Sequence, residues 1–220
     1  MGVRIIQTHQ QGFTRGFALK FLASCDILQP KQLSKEHKEI LVMEINELNW
    51  EKLKAMVHYV SQKASDPSVL GAVKLNKVLW YADTIHYLVH GATVTGEQYV
   101  KRERGPVPRH ILRVVQQLVD EGKVARGKVD YFGFTKSEYI ALTDADISDF
   151  SATEISIIDS AFDHVCLNHT AKSVSDETHG IIWQLAQMGE EIPYHATLAS
   201  TLGEIDEEDM AWADSILEAA

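Results

Sequence analysis

The segment Leu70–Gly91, "LGAVKLNKVLWYADTIHYLVHG", constrains the fold more than any other part of the chain. Leu75, Val78, Leu79, Ala82, Ile85 and Val89 recur at helical spacing, and Trp80, Tyr81 and Leu88 cover much of the remaining circumference. A helix that is apolar nearly all round must be enclosed by other elements on several sides. Gly91 follows its last turn, where a left-handed glycine commonly stops a helix. Two lysines interrupt the segment. Lys74 and Lys77, at i and i+3, project from one side of an otherwise buried helix. They must therefore find carboxylates or carbonyls, or run their stems out to water.

The flanking segments supply candidates to enclose that helix. In "ELNWEKLKAMVHYVSQKA", Leu48, Met56, Tyr59 and Val60 mark an apolar face with Leu53 on its flank, and "SDPSV" ends the pattern. "EQYVKRERGPV" is expected to be extended, because a residue before proline is pushed out of the helical region. "VPRHILRVVQQLVDEG" predicts a helix with Pro108 in its first turn and Gly122 just past its end. "KVARGKVDYFGFTKSEYIALTD" predicts two short strands in a hairpin. A helix followed by a basic hairpin is the outline of a winged-helix element. "SATEISIIDSAFDHVCLN" opens with a capping box, Ser151 and Glu154. "VSDETHGIIWQLAQMG" predicts a helix kinked or broken near Gly180, "EEIPYHATLAS" is irregular, and "EIDEEDMAWADSILEA" closes as an acidic helix. The expected fold is mainly α, in the α+β class: one helical domain of six to seven helices with a small winged-helix-like hairpin.

Residues 1–42 differ from the rest in being net positive, Gln/His-rich and weakly periodic. They read equally as a helix near residues 14–24 with a linker, or as an extension upstream of a natural start at Met43. The expected division is an N-terminal extension over 1–42, a domain over 43–200 and the acidic C-terminal helix over 201–220. "FLASC" resembles a lipoprotein cleavage box, with Leu22, Ala23 and Ser24 before Cys25, but the apolar stretch before it is short and broken by Lys20. No apolar run reaches the roughly 18 residues of a membrane span. Cys25 and Cys166 stand far apart, which fits a reducing compartment better than a disulfide framework. The expected location is cytoplasmic, with no membrane contact.

Charge narrows the partners. The chain carries 21 basic and 31 acidic residues, a formal net charge of −10 that disfavours nucleic acid. The distribution is uneven. Residues 101–128 hold eight Lys/Arg against three acids, and residues 190–220 hold nine acids with no Lys or Arg. Residues 101–136 are the one stretch through which a nucleic acid could bind. In "VKRERGPVPRH", Gly105 and Pro106 suit a sharp structural corner. Lys101, Arg102, Arg104 and Arg109 are not needed for a turn, and arginine forks suit a protein interface. No enzyme activity is expected, since no glycine-rich phosphate loop, G-x-S-x-G elbow or HExxH is present. Asp83, His86 and His90 share a helix face, and His164, Cys166 and His169 lie close in sequence, but neither set has a recognisable zinc spacing. The expectation is no metal and no cofactor.

Taken in order, "KLNKVLWYADTIHYLVHG", "YVKRERGPVPRHI", "FSATEISIIDSAF" and "SDETHGIIW" resemble the Panacea domain, the SocA-like antitoxin domain of bacterial and phage toxin–antitoxin systems. The likeness rests on Lys74, Leu75, Lys77, Tyr81, Ala82 and His86 in the helix, and on Gly105, Pro106 and Val107 at the corner. Thr178, His179 and Trp183 complete it. Two departures occur: Glu103-Arg104 stands where an aromatic is frequent, and no proline–tryptophan run follows His179. The resemblance implies an antitoxin that neutralises a cognate toxin from the adjacent gene by direct protein binding. It also implies, for some members, delivery of the toxin to a protease such as a Clp-type unfoldase. Lys74, Lys77, Lys101, Arg102, Arg104 and Arg109 are the expected toxin-facing residues. Leu75, Tyr81, Gly105, Pro106, Val107, His179 and Trp183 are the expected structural motif. The alternative is a winged-helix transcriptional regulator that binds nucleic acid.

Overall fold

The computed structural model describes residues 46–131, 133–194 and 196–197. The extension and the acidic C-terminal helix anticipated from the sequence lie outside the described residues. Among the described residues there are six helices and two antiparallel two-stranded sheets. The fold is mixed α+β and mainly helical, as the periodicity predicts.

Helix α1 runs Trp50–Lys63, and its N-cap Asn49 accepts a hydrogen bond from the Lys52 N–H at 3.0 Å. Its buried stripe is Leu53, Met56, Val57 and Val60, spaced i, i+3, i+4 and i+7. Leu53 is therefore central to the face and not on its flank, and Tyr59 lies at the edge with its hydroxyl on Asp159 at 2.8 Å. The physical reason is that Leu48 precedes the helix, so it cannot share the helical phase assigned to it from sequence. Lys52 reaches Glu154 at 2.6 Å, tying α1 to a later helix.

Helix α2, Ala72–His90, is enclosed as its composition requires. Leu75, Val78, Leu79, Tyr81 and Ala82 are fully buried, and Trp80 and Ile85 nearly so. Each buried Leu, Val or Ile side chain contributes roughly 1.5–3 kcal/mol relative to exposure. Gly91 takes the left-handed conformation, φ 74°, and returns its N–H to Tyr87 O at 2.8 Å. Its surroundings are α1, the strands and the C-terminal helices described next.

Strands β1, Tyr99–Arg102, and β2, Gly105–Pro108, form an antiparallel hairpin in which Tyr99 faces Pro108 and Arg102 faces Gly105. The extended reading of this stretch holds, but the hairpin is additional to the one expected, and Pro108 lies in β2 and not in a helix. Prolines at 106 and 108 argue against a central strand, and here they occupy an edge strand, where a missing N–H costs nothing. The other edge of β1 is taken by the segment near Glu191. Lys101 N–H donates to Glu190 O, Gly189 N–H to Lys101 O and Ile192 N–H to Tyr99 O, all at 2.8–2.9 Å.

Helix α3, Ile111–Asp120, starts after His110 and buries Ile111, Val114, Val115 and Leu118 against α1. Strands β3, Val124–Tyr131, and β4, Phe134–Ala141, form the anticipated hairpin, with Val124 opposite Ala141. Helix α4, Ala152–Phe162, carries the expected capping box at Ser151 and Glu154. It continues into a π-helical turn, Asp163–Leu167, whose Asn168 N–H reaches Asp163 O at 3.3 Å. Helix α5, Ala171–Glu177, and helix α6, Ile181–Leu185, are separated at Gly180, the expected break. Tyr194 completes the core. It stacks on Trp80 with centroids 6.0 Å apart and gives its hydroxyl to the Glu97 carbonyl. No helix of the described residues is long and apolar enough to cross a membrane.

Candidate functional site

The residues singled out in widely separated parts of the sequence meet at one end of α2. Lys77 is only 1% exposed, and its Nζ donates to the Pro106 carbonyl at 3.1 Å. Gly105 adopts φ +98°, and a Cβ there would overlap Lys77 Nζ and the Thr178 hydroxyl. Thr178 is itself anchored, its hydroxyl contacting Val174 O at 3.2 Å and Ser175 O at 2.9 Å. The glycine is thus required twice, for the backbone angle and for the close approach. Leu75 is buried two residues before Lys77 on α2, and Val107 packs half-buried on the core.

The next layer of the node is aromatic. His179 stacks on Trp183 with ring centroids 3.7 Å apart and 8° between planes. Trp183 Nε1 donates to Arg102 O at 3.1 Å, and Lys101 Nζ lies 4.2 Å from the Trp183 ring centroid. Lys101 also donates to Ala186 O at 2.8 Å and Gln184 O at 3.3 Å. A cation over an indole face is attracted by the ring quadrupole. Burial, and then the charge of Lys77, hold His179 below the ordinary histidine pKa. These contacts clamp the β1–β2 hairpin from behind.

The six basic residues grouped from sequence therefore separate into two kinds. Lys77 and Lys101 are committed to carbonyls within the node, and Lys74 donates to Cys166 O at 3.0 Å. Lys77 and Lys74 found carbonyls, one of the two outcomes open to lysines on a buried helix. Arg102 and Arg104 stand exposed at the hairpin tip, and Arg109 is exposed with Glu191 at 3.5 Å. Beside the tip lies a cleft of about 470 Å³ whose walls include Ala72, Val73, Asn76, Arg104 and Met188, with Lys77 on its inner side. Asn76 and Met188 were not picked out from the sequence, and no local pattern marks either one.

A second cluster lies at Tyr81, about one turn further along α2 from Lys77. The Tyr81 hydroxyl donates to Glu177 Oε1 at 2.9 Å, and burial pushes that phenol well above the ordinary tyrosine pKa. His164 Nε2 is 3.1 Å from Glu177 Oε1, and His169 Nε2 is 3.3 Å from Glu177 Oε2. Despite burial, the His164 hydrogen bond and charge, the Tyr81 hydroxyl and the charge of His169 hold the Glu177 carboxyl below the usual carboxylate range. Cys166 does not join the two histidines that flank it in sequence. It is buried, and burial pushes its thiol up to about 12. In the other set the His86 and His90 rings lie 4.6 Å apart, but Asp83 is engaged elsewhere. Asp83 accepts from Thr95 N, Thr95 Oγ1 and Tyr99 OH at 2.8–2.9 Å, while His86 Nδ1 meets Ala92 O at 2.6 Å.

Lys77 gives the node a measurable signature. Burial lowers its pKa to about 7, against roughly 10.4 in an unfolded chain. Between these values the unfolded state holds a proton that the native state has released, so stability rises with pH across roughly pH 7–10. Below pH 7 both states are protonated and the full cost of the buried charge remains. Urea midpoints measured from pH 6 to 10 should converge as wild type gains on Lys77→Met. Parallel curves for the two proteins would remove Lys77 from the buried node.

The family described as "antitoxin SocA-like, Panacea domain" matches residues 75–184, half of the chain. Its span begins within α2, includes the β1–β2 corner and both clusters, and ends within α6. No curated protein and no solved structure gives a significant match. With half its length matched, and with Lys77, Gly105, Pro106, Thr178 and Trp183 converging within the matched span, the chain belongs to the SocA-like antitoxin family that carries the Panacea domain.

Proposed function

We propose that the protein neutralises a cognate toxin by direct binding, using the β1–β2 tip and the adjoining cleft as its contact face. The observation that carries this reading is the state of Arg102 and Arg104. Both are exposed, neither forms an ion pair with another described residue, and both sit on a hairpin held from behind by Lys77, Trp183 and the Glu190 strand partner. A preorganised tip loses little conformational freedom on binding, and arginine forks match carboxylates bidentately. The cleft beside them adds apolar wall from Ala72, Val73 and Met188. The partner surface that fits is acidic at its rim with an apolar side chain to enter the cleft.

Charge placement supports this reading over the nucleic-acid one. The outward side of α3, the helix before the β3–β4 hairpin, offers Leu112, Arg113, Gln116 and Asp120 to solvent, so its one cation, which also lies over Trp50 at 4.8 Å, is offset by an acid. A recognition helix needs cations or amides aimed at phosphates and base edges.

The test is charge reversal at the tip. Arg102→Glu with Arg104→Glu should weaken capture of the adjacent gene's product by about a hundredfold or more, since like-charge juxtaposition at an interface costs several kcal/mol. The melting temperature should hardly move, because exposed substitutions usually change stability by about 0.5 kcal/mol or less. Undiminished capture by the double variant would overturn the assignment of this face. Salt-sensitive binding to upstream duplex that the same reversal abolishes would favour the regulator.

A further inference from the structure

We propose that His164, His169 and Glu177 form a binding site for one divalent transition-metal ion, with zinc the best match. This goes beyond toxin binding and does not depend on it. The three side chains can each present one ligand atom, all within 4.8 Å of one another. Zinc held at about 2.0–2.2 Å by imidazole nitrogen and carboxylate oxygen in tetrahedral geometry separates neighbouring donors by about 3.3–3.5 Å. His164 Nε2 stands 3.1 Å from Glu177 Oε1 and His169 Nε2 stands 3.3 Å from Glu177 Oε2, so each nitrogen is about that far from one oxygen of the shared carboxylate. The three groups already stand within the span of a single ion.

The backbone explains how the set assembles. In a continuous α-helix His164 and His169 would point well apart, being five residues, or about 140°, out of phase. The π-helical turn at Asp163–Leu167 and the break at Asn168 instead bring their rings to 4.5 Å between centroids. Single π turns inside α-helices frequently mark functional positions. Glu177 arrives from the far end of α5.

Hydrogen bonds orient the donors as outer partners do in metal sites. Tyr81 OH fixes Glu177 Oε1. His169 Nδ1 meets Ser173 Oγ at 3.2 Å. Ser173 Oγ accepts from Thr170 N–H at 3.0 Å and gives its proton to Thr170 O at 3.2 Å. These contacts hold the His169 ring with Nε2 turned toward Glu177 Oε2 at 3.3 Å. The neighbouring Lys74 ammonium opposes a metal, but it is drawn to Cys166 O. His169 and Glu177 retain side-chain exposures of 25% and 17%, which leaves access for an ion and a fourth ligand such as water.

The experiment is titration of the metal-free full chain with Zn²⁺ alone against a competing chelator, repeated with Co²⁺ for its visible spectrum. Wild type should take up one ion at this site, melt at a higher temperature with Zn²⁺, and show the intense bands of low-coordinate Co²⁺. His169→Ala and Glu177→Gln should each lose affinity by more than the roughly 10–100-fold that loss of an outer partner costs. His169→Asn keeps a polar group near Ser173 and replaces His169→Ala if that variant fails to melt cooperatively. Absence of uptake by wild type would overturn the proposal. So would unchanged Zn²⁺ affinity in a folded His169 variant, because the ion would then be held by other histidines.

Discussion

Leu79→Asp is expected to leave the chain without a cooperative melting transition. Leu79 has no exposed surface, and it sits on the helix against which the other elements pack. Truncating a buried leucine costs about 2–5 kcal/mol through lost transfer energy and the cavity left behind. Burying an unpaired carboxylate adds several more, or forces the helix out of the core to reach water. The sum, roughly 5–10 kcal/mol, is comparable with the whole stability of a typical domain, about 5–15 kcal/mol. Leu112→Asp is the control. Leu112 is 74% exposed, so its substitution should leave the transition within about 0.5 kcal/mol of wild type. Circular dichroism on heating reads both. A Leu79→Asp protein that melts like wild type would show that α2 is not central.

Gly105→Ala should be the next most damaging change, although it adds a single methyl group. An L-residue at φ +98° is strained by about 1–3 kcal/mol, and forcing a methyl into a packed node costs a further 1–3 kcal/mol or so. The expected loss is about 2–6 kcal/mol, read as the urea midpoint at unchanged slope. Gly91→Ala separates the two contributions. Its φ is +74°, but a Cβ there would meet nothing within 4 Å, so only the backbone cost should appear. Placing Gly105→Ala in a Lys77→Ala background should recover part of the loss, because contacting residues are energetically coupled. Strict additivity of those two substitutions would mean that Lys77 does not close over Gly105. Since Gly105 also positions Arg102 and Arg104, the proposed function further expects the folded fraction of Gly105→Ala to capture the adjacent gene's product less well.

Both substitutions act on features that differ in how visible they were beforehand. Leu79 was legible because an all-round apolar helix admits only one kind of environment. Gly91, the capping box at Ser151 and Glu154, and the break at Gly180 were legible for a related reason. Each depends on atoms within a few residues of chain, so the local sequence carries the whole cause. The β3–β4 hairpin belongs with them, through its β-branched and aromatic residues bounded by glycines. The phase of α1 was misplaced only because Leu48 lies before the helix begins, and helix boundaries depend on capping as well as periodicity.

The β1–β2 hairpin was less legible. Its strands carry two prolines, and its stability comes from Lys77 and from backbone partners at residues 189–192, nearly ninety positions onward. Composition alone could flag the basic cluster but could not sort it. Lys77, Lys101 and Arg102 differ in role because one carbonyl, one indole ring and open solvent happen to face them. The histidine pair shows no metal pattern in the sequence, since its third donor, Glu177, carries no spacing signal and the π turn changes the phase expected for a regular helix. The sequence alone therefore determined the helical class, the central element and the local stops. Those follow from apolar periodicity and short-range backbone chemistry. Only the tertiary structure decided which charges are spent inside and which face solvent, because those outcomes turn on contacts such as Tyr81–Glu177 and Lys74–Cys166, 96 and 92 residues apart.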